Sequence, residues 1–258
     1  MRPQTKSQLY LNSNDMMLDV LTNEDFSATR ERLDGYFHFG ISVDCVVFGY
    51  DGSQLQVLVI ERGAEPYAGY EAIPGDLVHP NEDIDAASKR VLHDLTGLPE
   101  IYLEQLKTFG AVNRHPMGRV VTVAYYALLD KNLYRPKPSS WASEAYWKDL
   151  NDLGEMAFDH REIVETAIEQ LRYKVQHQPL GFELLPEEFT LAELQLLYET
   201  VLNTTFDKGN FRKKILSMHL LIPTDKTQTE VRHRPARLYR FDQARYQQLI
   251  QRGFMFEL

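Results

Sequence analysis

The chain has 258 residues, of which 43% are hydrophobic and 25% charged, and its formal net charge is −9. This composition excludes an intrinsically disordered chain and predicts a globular protein of one or two domains. The single cysteine, Cys45, excludes a disulfide framework and a cysteine-based zinc site. The first residues lack the continuous apolar stretch of a secretory signal, and no stretch of about 18 apolar residues predicts a membrane-spanning helix. We therefore expect a cytoplasmic protein with no membrane partner.

Charge is distributed unevenly along the chain. Residues 1–178 carry 17 basic and 27 acidic side chains, a net charge of −10, whereas residues 179–258 carry 11 and 10, a net charge of +1. Within the second part, residues 208–252 hold eleven basic side chains against three acidic ones, which leaves +8. This asymmetry indicates two functional units, the second with a basic surface that is either a solvated face or a site for a phosphate backbone.

The first part of the chain alternates strand-like and helix-like segments. Residues 1–36 are polar and acidic and predict an irregular or partly helical arm. The runs ISVDCVVFGY and LQVLVIER flank Asp51-Gly52, which is typical of a β-hairpin. Apolar spacing predicts helices from Glu82 to Leu95 and over 161–176, with the strand-like runs YLEQLKTFGAV, RVVTVAYYALL and EAYWKDL between them. The segment from His177 to Pro186 contains two prolines and a glycine, and we interpret it as a linker.

The second part of the chain has the order of a winged helix-turn-helix. Thr190 and Glu193 form a capping box before the apolar-striped helix LAELQLLYETVL. Asp207 is a second cap candidate, for a basic helix from Lys208 to about His219 in which Phe211 faces the core. The runs LLIP and RPARLYRFD follow as two strands of a wing. Such a fold places its second helix in the major groove, where Arg and Lys side chains contact phosphates or guanine edges.

We expect double-stranded operator DNA to contact this basic helix and the wing. The candidate contacts are Lys208, Asn210, Arg212, Lys213 and Lys214 on the recognition helix, and Arg232, His233, Arg234 and Arg237 on the wing. Two alternatives stay open at this point. The basic residues could merely keep a small helical domain soluble, or the winged helix could bind a protein instead of DNA.

The segment from Pro74 to Leu98, PGDLVHPNEDIDAASKRVLHDLTGL, resembles the Nudix box, G-x5-E-x7-R-E-U-x-E-E-x-G-U, where U is a bulky aliphatic residue. In that motif, closely spaced helix glutamates bind Mg²⁺ or Mn²⁺, which polarises a diphosphate and activates water. Glu82, Arg90 and Gly97 fall at their motif positions. The spacing therefore predicts the loop and helix of a Nudix scaffold.

The carboxylates that this chemistry needs are largely replaced. Val91, Asp94 and Leu95 occupy the three glutamate positions of the helix, and Asp76 occupies the position of the opening glycine. Aliphatic side chains cannot bind a metal, so we expect no catalytic residues, no metal site and no enzyme activity. Glu82 and Asp94 leave weak residual hydrolysis open, and an active Nudix hydrolase of a nucleoside diphosphate derivative is the alternative function.

Taken with these motifs, the chain resembles Nudix-related transcriptional regulators of the NrtR/AraR type over roughly residues 38–245. The resemblance lies in VDCVVFGY, RVLHDLTGL and FGAVNRHPMGRVVTVAYYAL, and most specifically in FTLAELQLLYE, DKGNFRKKIL and HRPARLYRF. The runs LTGL, YLEQLKTFGAV and VVTVAYYAL look closer to the sugar-responsive branch known from Bacteroidetes.

The resemblance implies an α+β protein with three parts. An N-terminal arm (1–36) without a counterpart precedes a Nudix-like α/β/α sandwich with a mixed sheet (37–178) and a winged helix-turn-helix (179–258). It also implies a cytoplasmic homodimer that acts as a repressor, needs no cofactor, and binds operator DNA under the control of a small molecule. That effector would be a sugar such as arabinose, which would connect the protein to carbohydrate metabolism, or an ADP-ribose-like metabolite.

A sugar or ribose needs a few convergent polar groups in a mostly apolar pocket. Asp44 lies in an otherwise apolar strand, Glu71 lies just before the box, and the remaining candidates surround the loop at 115–118: Arg114, His115 and Arg119. Asp44 is equally open to a purely structural role, and we interpret His115 as a loop histidine and not as a catalytic base. The helix over 161–176 and the segment 177–189 are expected to transmit effector binding to the winged helix.

Overall fold

The computed structural model describes residues 38–229 and 235–258, and Ile41–Leu258 form one compact unit. The strands are β1 (Gly40–Tyr50), β2 (Leu55–Arg62), β3 (Glu71–Ala72), β4 (Gly75–Leu77), β5 (Glu104–Phe109), β6 (Val120–Asp130), β7 (Ala142–Asp149), β8 (Leu221–Thr227) and β9 (Arg237–Phe241). The α-helices are α1 (Ile84–Thr96), α2 (His160–His177), α3 (Leu191–Leu202), α4 (Lys208–Ser217) and α5 (Gln243–Ile250). None of these described helices is long and apolar enough to cross a lipid bilayer.

The first seven strands form one sheet, in the order β3-β2-β1-β6-β5, with β4 paired to β1 and β7 paired to β2. The predicted hairpin is confirmed, since β1 and β2 pair antiparallel with Phe48 opposite Val57. Its turn is held by Asp51, whose Oδ1 accepts hydrogen bonds from the backbone N–H groups of Ser53 and Gln54 at 2.9 and 2.8 Å. A short aspartate side chain that caps its own turn in this way is a common reason why a chain reverses at one position.

Helices cover both faces of this sheet, as expected for an α/β/α sandwich. Successive side chains of β1 point to opposite faces. Cys45 and Val47 lie in the core that contains α1, whereas Val46 and Phe48 lie in the core that contains α2. The helices predicted from Glu82 and over 161–176 are therefore confirmed, and α1 ends at the left-handed Gly97, where φ is 65°.

The core beneath α2 continues into the C-terminal region. Leu171 and Val175 of α2 belong to the same buried cluster as Leu194 and Tyr198 of α3. The backbone N–H of Leu258, at the end of the chain, also donates to the carbonyl of Gln176 at 3.1 Å. The helix that closes the sandwich thus packs directly against the C-terminal domain.

The winged helix-turn-helix is confirmed in its predicted order, α3, α4, then the antiparallel pair β8 and β9. The capping box is complete, because the Thr190 hydroxyl accepts from the Glu193 N–H at 3.1 Å and the Glu193 carboxylate accepts from the Thr190 N–H at 2.7 Å. Asp207 caps α4 by accepting from the Asn210 N–H at 2.8 Å. The sequence does not predict α5, whose eight residues contain three glutamines and an arginine and show little apolar periodicity.

The segment interpreted as a linker is a packed joint instead. Leu180–Leu184 forms a 3-10 helix in which Gly181 and Phe182 are buried. The Phe182 ring stacks on the Phe241 ring with a centroid distance of 4.2 Å and an interplanar angle of 13°. A Cβ atom on Gly181 would lie 2.6 Å from the Leu197 Cδ2 atom, so any other residue would force the Leu197 side chain to shift. The linker interpretation was wrong, because the segment with the prolines and the glycine also contains apolar side chains such as Phe182, which pack in the core.

Candidate functional site

A cavity of about 320 Å³ opens at one end of the sheet, between the loops around β4 and β6 and the start of α2. This size lies at the lower end of the range for small-molecule pockets. Its charged, histidine and tryptophan lining residues are Asp44, Arg62, Glu65, Asp76, Arg114, His115, Trp141 and His160. We call it the Nudix pocket, because Gly75, Asp76 and Leu77 of the segment that resembles the Nudix box also line it.

The wall of the Nudix pocket contains a buried charge network. Arg114 donates from Nε and Nη2 to the two carboxylate oxygens of Asp159 at 2.8 and 2.6 Å, and from Nη2 to Asp44 at 3.3 Å. Asp44 and Arg114 are both almost fully buried, with 4% and 8% of their surfaces exposed. A bidentate arginine–carboxylate pair of this kind is geometrically demanding and holds the groups it joins in one arrangement. It fixes the loop that carries Arg114 to the start of α2.

His160, the first residue of α2, completes this network. Its Nδ1 accepts a hydrogen bond from the Ile73 N–H at 3.1 Å, so the ring proton lies on Nε2, which faces Asp44 at 3.4 Å. Burial raises the pKa of Asp44, but His160, Thr122 and Arg114 together outweigh burial and lower that pKa below its usual value. Asp44 is thus a charged carboxylate with partners inside the protein.

A group of stacked planar side chains forms another part of the pocket lining. The Arg62 guanidinium carbon lies 4.6 Å from the centroid of the Trp141 ring and 5.0 Å from that of Phe158. His115 stacks on Phe158 with a centroid distance of 5.0 Å and an interplanar angle of 12°. Burial lowers the pKa of His115, and the positive charges of Arg114 and Arg62 lower it further. The Arg62 guanidinium therefore lies over the rings of Trp141 and Phe158, and the His115 ring also stacks on Phe158.

Three of the five predicted effector residues, Asp44, Arg114 and His115, line the Nudix pocket, and the other two do not. Glu71 accepts from the Tyr146 hydroxyl at 2.7 Å and forms an ion pair with Lys148, in a surface network on β3 and β7. Arg119 donates from Nη1 to the carbonyls of Gly110 and Ala111 at 2.7 and 2.9 Å and braces its own loop. Of the predicted effector residues, three therefore lie at the pocket, while Glu71 and Arg119 make structural contacts elsewhere.

The sequence does not predict several other pocket residues, among them Arg62, Trp141, Phe158 and His160. Arg62 ends β2, Trp141 directly precedes β7, and Phe158 and His160 lie at the start of α2. A single sequence does not bring these together, because they come from three separate segments of the chain. The one available signal was polarity at Arg62, which ends a strand that is otherwise largely apolar.

The helix of the box turns its two aliphatic substituted positions inward. Val91 and Leu95 are buried in the core shared with β1 and β6. The Glu82 carboxylate binds the Arg90 guanidinium, with Oε2–Nε and Oε1–Nη2 distances of 2.9 and 2.6 Å, and Asp94 lies 3.7 Å from Arg90 Nη1. The hydrogen bonds from Arg90 lower the pKa of Glu82 to about 2. The two remaining box carboxylates thus face an arginine.

A second candidate site lies on the winged helix. In α4, Phe211 and Ile215 are buried against the core. The five predicted contact residues of this helix all lie exposed on its other sides: Lys208, Asn210, Arg212, Lys213 and Lys214. A cleft of about 660 Å³ separates α4 from the wing, and its lining includes Lys208, Arg212 and Arg237. Helix α4 therefore buries its apolar side and exposes the polar side chains, as the sequence predicts.

The basic side chains of this surface have no carboxylate partners within the described chain. Lys208, Arg212, Lys213, Lys214 and Arg237 form no ion pair with any described residue. By contrast, Lys226 pairs with Glu188 at 2.9 Å and Arg240 with Glu187 at 3.6 Å, farther along the same domain. Exposed cations without such partners, clustered on one helix and the neighbouring wing strand, produce the positive potential that attracts a polyanion. The predicted wing contacts Arg232, His233 and Arg234 lie outside the described residues.

Comparison with known proteins gives the same two-part division. Residues 38–167 match the model of the NUDIX domain, and residues 181–241 match the model of the NrtR DNA-binding winged helix domain. The chain is 34% identical over 205 residues to the ADPR responsive transcriptional repressor NtrR of Acinetobacter baylyi, which covers 78% of this chain and 81% of that repressor.

Two solved structures are similar to this chain, one of a whole regulator and one of a NUDIX domain alone. The Shewanella oneidensis NrtR complexed with a 27mer DNA superposes with a TM-score of 0.65 at 34% identity, over 78% of this chain and 93% of that one. The NUDIX domain of the same protein, complexed with ADP ribose, gives a TM-score of 0.51 at 30% identity, over 58% of this chain and 99% of that one. The chain therefore belongs to the family of NrtR-type transcriptional regulators, which join a Nudix domain to a winged helix domain.

Proposed function

We propose that this protein is a DNA-binding transcriptional repressor that releases its operator when a small molecule of the ADP-ribose class occupies the Nudix pocket. The observation that carries the proposal is the combination, in one compact unit, of a ligand-sized cavity with a few charged side chains in a mostly apolar lining and an exposed recognition helix whose cations have no described carboxylate partner. A relative that shares this layout is an ADPR responsive repressor. Such a protein works in the compartment that contains the chromosome, which in a bacterium is the cytoplasm.

The similarity of the Nudix region to a domain solved with ADP ribose favours this effector class. A neutral sugar such as arabinose is the second candidate, because Asp44, His115 and the rings of Trp141 and Phe158 are groups that also suit a pentose. The two candidates differ in charge, so a direct comparison of their binding decides between them.

We propose that the repressor binds as a homodimer to an operator with two half-sites. A single α4 presents few base contacts, and a helix-turn-helix protein gains affinity and specificity by placing two recognition helices about one turn of DNA apart. Half-site spacing then follows from the distance between the two copies of α4. Analytical ultracentrifugation with and without DNA measures the assembly.

We propose further that the Nudix domain binds its ligand without hydrolysing it. A catalytic Mg²⁺ requires several oxygen ligands in near-octahedral geometry. Val91 and Leu95 supply none and are buried, and Glu82 is bound by Arg90. Incubation of the protein with ADP-ribose and Mg²⁺ should leave the ligand intact, whereas turnover at ordinary enzyme rates would replace this proposal by that of a Nudix hydrolase.

Helix α2 is the element that could couple the two sites. Its first residue, His160, lies in the wall of the Nudix pocket, and its last turn leads into the packed joint at Leu180–Leu184. Near the far end, Arg172 Nε donates to the Val201 carbonyl of α3 at 3.1 Å. A ligand that binds more tightly when the start of α2 is in one position therefore also favours one position of the winged helix. A switch requires this difference in affinity between two states.

The proposal is tested by fluorescence anisotropy with the full chain and labelled DNA from upstream of its own gene. We expect binding that is selective over unrelated DNA, and dissociation when ADP-ribose is added but not when adenosine is added. Absence of selective DNA binding would favour a winged helix that binds protein. Dissociation by arabinose but not by ADP-ribose would retain the regulator and reject the proposed effector class.

A further inference from the structure

Helix α5 follows the wing and lies beyond residues 181–241, which match the model of the winged helix domain. Its inner side is packed, because the Tyr246 ring lies 5.8 Å from the Phe241 ring and Leu249 packs against the main core. The Asp242 side chain caps its first turn. The helix is therefore held against the domain, and its outer side presents a defined surface.

The outer side of α5 carries no charged residue. Its exposed residues are Gln243, Ala244, Gln247, Gln248 and Ile250. Each of the other four α-helices that the structure describes exposes at least one charged side chain. The lack of charge is notable here, because residues 208–252 carry a net charge of +8. Charged residues are depleted at the centre of protein interfaces, so a neutral side of this kind is typical of a surface that a partner covers.

Apolar side chains are exposed on this side of α5 and just beyond it. Ile250, the last residue of the helix, is 43% exposed, and Met255 is 86% exposed. Burial of apolar surface is the dominant driving force of most protein association. The outer side of α5 thus offers apolar surface that a partner could remove from water.

A groove of about 500 Å³ adjoins the same helix, between α5, the packed joint and the wing. Helix α5 contributes Gln243 and Tyr246 to it, and the rings of Phe182 and Phe241 also line it. Its charged lining residues are Glu183, Glu187 and Arg240, of which the last two form an ion pair at 3.6 Å. Because Gln243 belongs both to the groove and to the outer side of α5, the two form one continuous surface.

A second copy of this chain suits that surface better than DNA does. A phosphate backbone is bound by cations, and the exposed residues of α5 supply none. Within the described chain, no residue of α5 lines the cleft between α4 and the wing. In a two-fold dimer a surface meets its own copy, so a charged surface would bring like charges together, whereas a neutral surface avoids that repulsion.

We infer that two copies of the chain pack α5 against α5 across a two-fold axis, with Ile250 and the adjoining groove at the interface. The inference rests on the proposed function, which requires two recognition helices on one operator, and it names the surface that joins them. Because α5 begins just after β9 of the wing, this contact also sets the distance between the two winged helices. Gln247, in the middle of α5, then lies close to its counterpart in the second copy.

Cysteine cross-linking of the full chain tests the inference. The only native cysteine, Cys45, is buried, so an added surface cysteine is the one that reacts. We expect Gln247→Cys to give a covalent dimer with a short bismaleimide, and operator DNA to increase its yield. Gln105→Cys, at an exposed glutamine of β5, is the matched control and should run as a monomer on a denaturing gel.

Analytical ultracentrifugation of Ile250→Glu supplies a second measurement. The new carboxylate would be buried between the two copies, so the dissociation constant of the dimer should rise at least about tenfold. Leu133→Glu, at a residue of the Nudix domain that is 75% exposed, should dimerise like wild type. Thermal unfolding checks that both variants are folded.

Three results would overturn the inference: a wild-type dimer that Gln247→Cys does not cross-link, equal cross-linking of Gln247→Cys and Gln105→Cys, or equal dimer affinity of Ile250→Glu and wild type. Each of them leaves the proposed repressor in place with a different dimer surface. A wild-type chain that binds its operator selectively as a monomer would overturn both the homodimer and the inference. If Gln247→Cys cross-links specifically but the protein does not bind operator DNA, the proposed function fails and the inference stands.

Discussion

Arg114 and Asp159 are joined by two hydrogen bonds, Nε–Oδ2 at 2.8 Å and Nη2–Oδ1 at 2.6 Å, at the point where the wall of the Nudix pocket meets the start of α2. Asp159 immediately precedes α2, the helix whose far end packs against the winged helix. The pair therefore connects the Nudix pocket to the helix that packs against the winged helix domain. The proposed coupling between the pocket and the winged helix depends on that connection.

Removal of the Asp159 charge should destabilise the protein. In Asp159→Asn the Arg114 charge retains only the longer contact with Asp44, and loss of one partner of a largely buried pair costs roughly 3 kcal/mol. Urea unfolding monitored by circular dichroism measures this change in the free energy of unfolding. Glu165→Gln, which breaks an exposed pair with Arg161 in the same helix, should cost less than about 0.5 kcal/mol. Equal effects of the two substitutions would show that the Arg114–Asp159 pair is not important for stability.

The packed joint between the domains should not tolerate a side chain at Gly181. In Gly181→Ala the new methyl group would lie 2.6 Å from Leu197 Cδ2, and the resulting overpacking should cost about 1–2 kcal/mol. Gly154→Ala is the control, because no atom lies within 4 Å of the added Cβ. The difference in melting temperature between the two variants is the measurement. A Gly181→Ala variant as stable as Gly154→Ala would mean that the joint is loosely packed.

Loss of one recognition-helix cation should weaken operator binding in a salt-dependent way. Arg212 is exposed on α4 and has no ion pair among the described residues, so it is available for a phosphate. Each neutralised phosphate contributes about 0.9 to the slope of log affinity against log salt, and Arg212→Ala should reduce that slope by about 1. Anisotropy titrations at several salt concentrations measure it, with Lys89→Ala on α1 as the control. Unchanged affinity at low and high salt would remove Arg212 from the interface.

The Glu82–Arg90 pair should contribute to stability only while Glu82 is ionised. Hydrogen bonds from Arg90 lower the pKa of Glu82 in the folded protein from 4.5 to about 2, so the contribution is present above pH 4.5 and is lost as the pH falls toward 2. The melting temperature of Glu82→Gln should therefore lie below that of wild type near neutral pH and approach it in acid. A difference that grows as the pH falls would contradict this assignment. Glu165→Gln should differ little from wild type throughout.

Most of the fold could be predicted because its signals are local. Asp51 and its neighbours encode the first hairpin, Thr190 and Glu193 encode the start of α3, and Asp207 encodes the start of α4. Each signal needs only residues within a few positions of one another. The joint at Leu180–Leu184 could not be predicted from local sequence. Phe182 and Gly181 acquire their roles only when Phe241 and Leu197 pack against them.

The effector site could be predicted only in part for the same reason. Asp44 was recognisable as a charge in an apolar strand and Arg114 as a polar residue beside the loop at 115–118, and the fold brings them within 3.3 Å of each other. Glu71 lies just before the box in sequence, but its partners Tyr146 and Lys148 lie on β7 and hold it away from the cavity. The place of Arg62 in the pocket could not be predicted, because the rings of Trp141 and Phe158 that it contacts come from distant parts of the sequence.

The central claim, that one chain couples the Nudix pocket to the DNA surface, is tested most directly by measuring both affinities with and without the other ligand. If the sites are coupled, ADP-ribose lowers the affinity for operator DNA by some factor, and saturating DNA lowers the affinity for ADP-ribose by the same factor. We predict matched factors of about 5- to 150-fold, the range typical of allosteric coupling. Two ligands that bind with unchanged affinities in each other's presence would contradict the account.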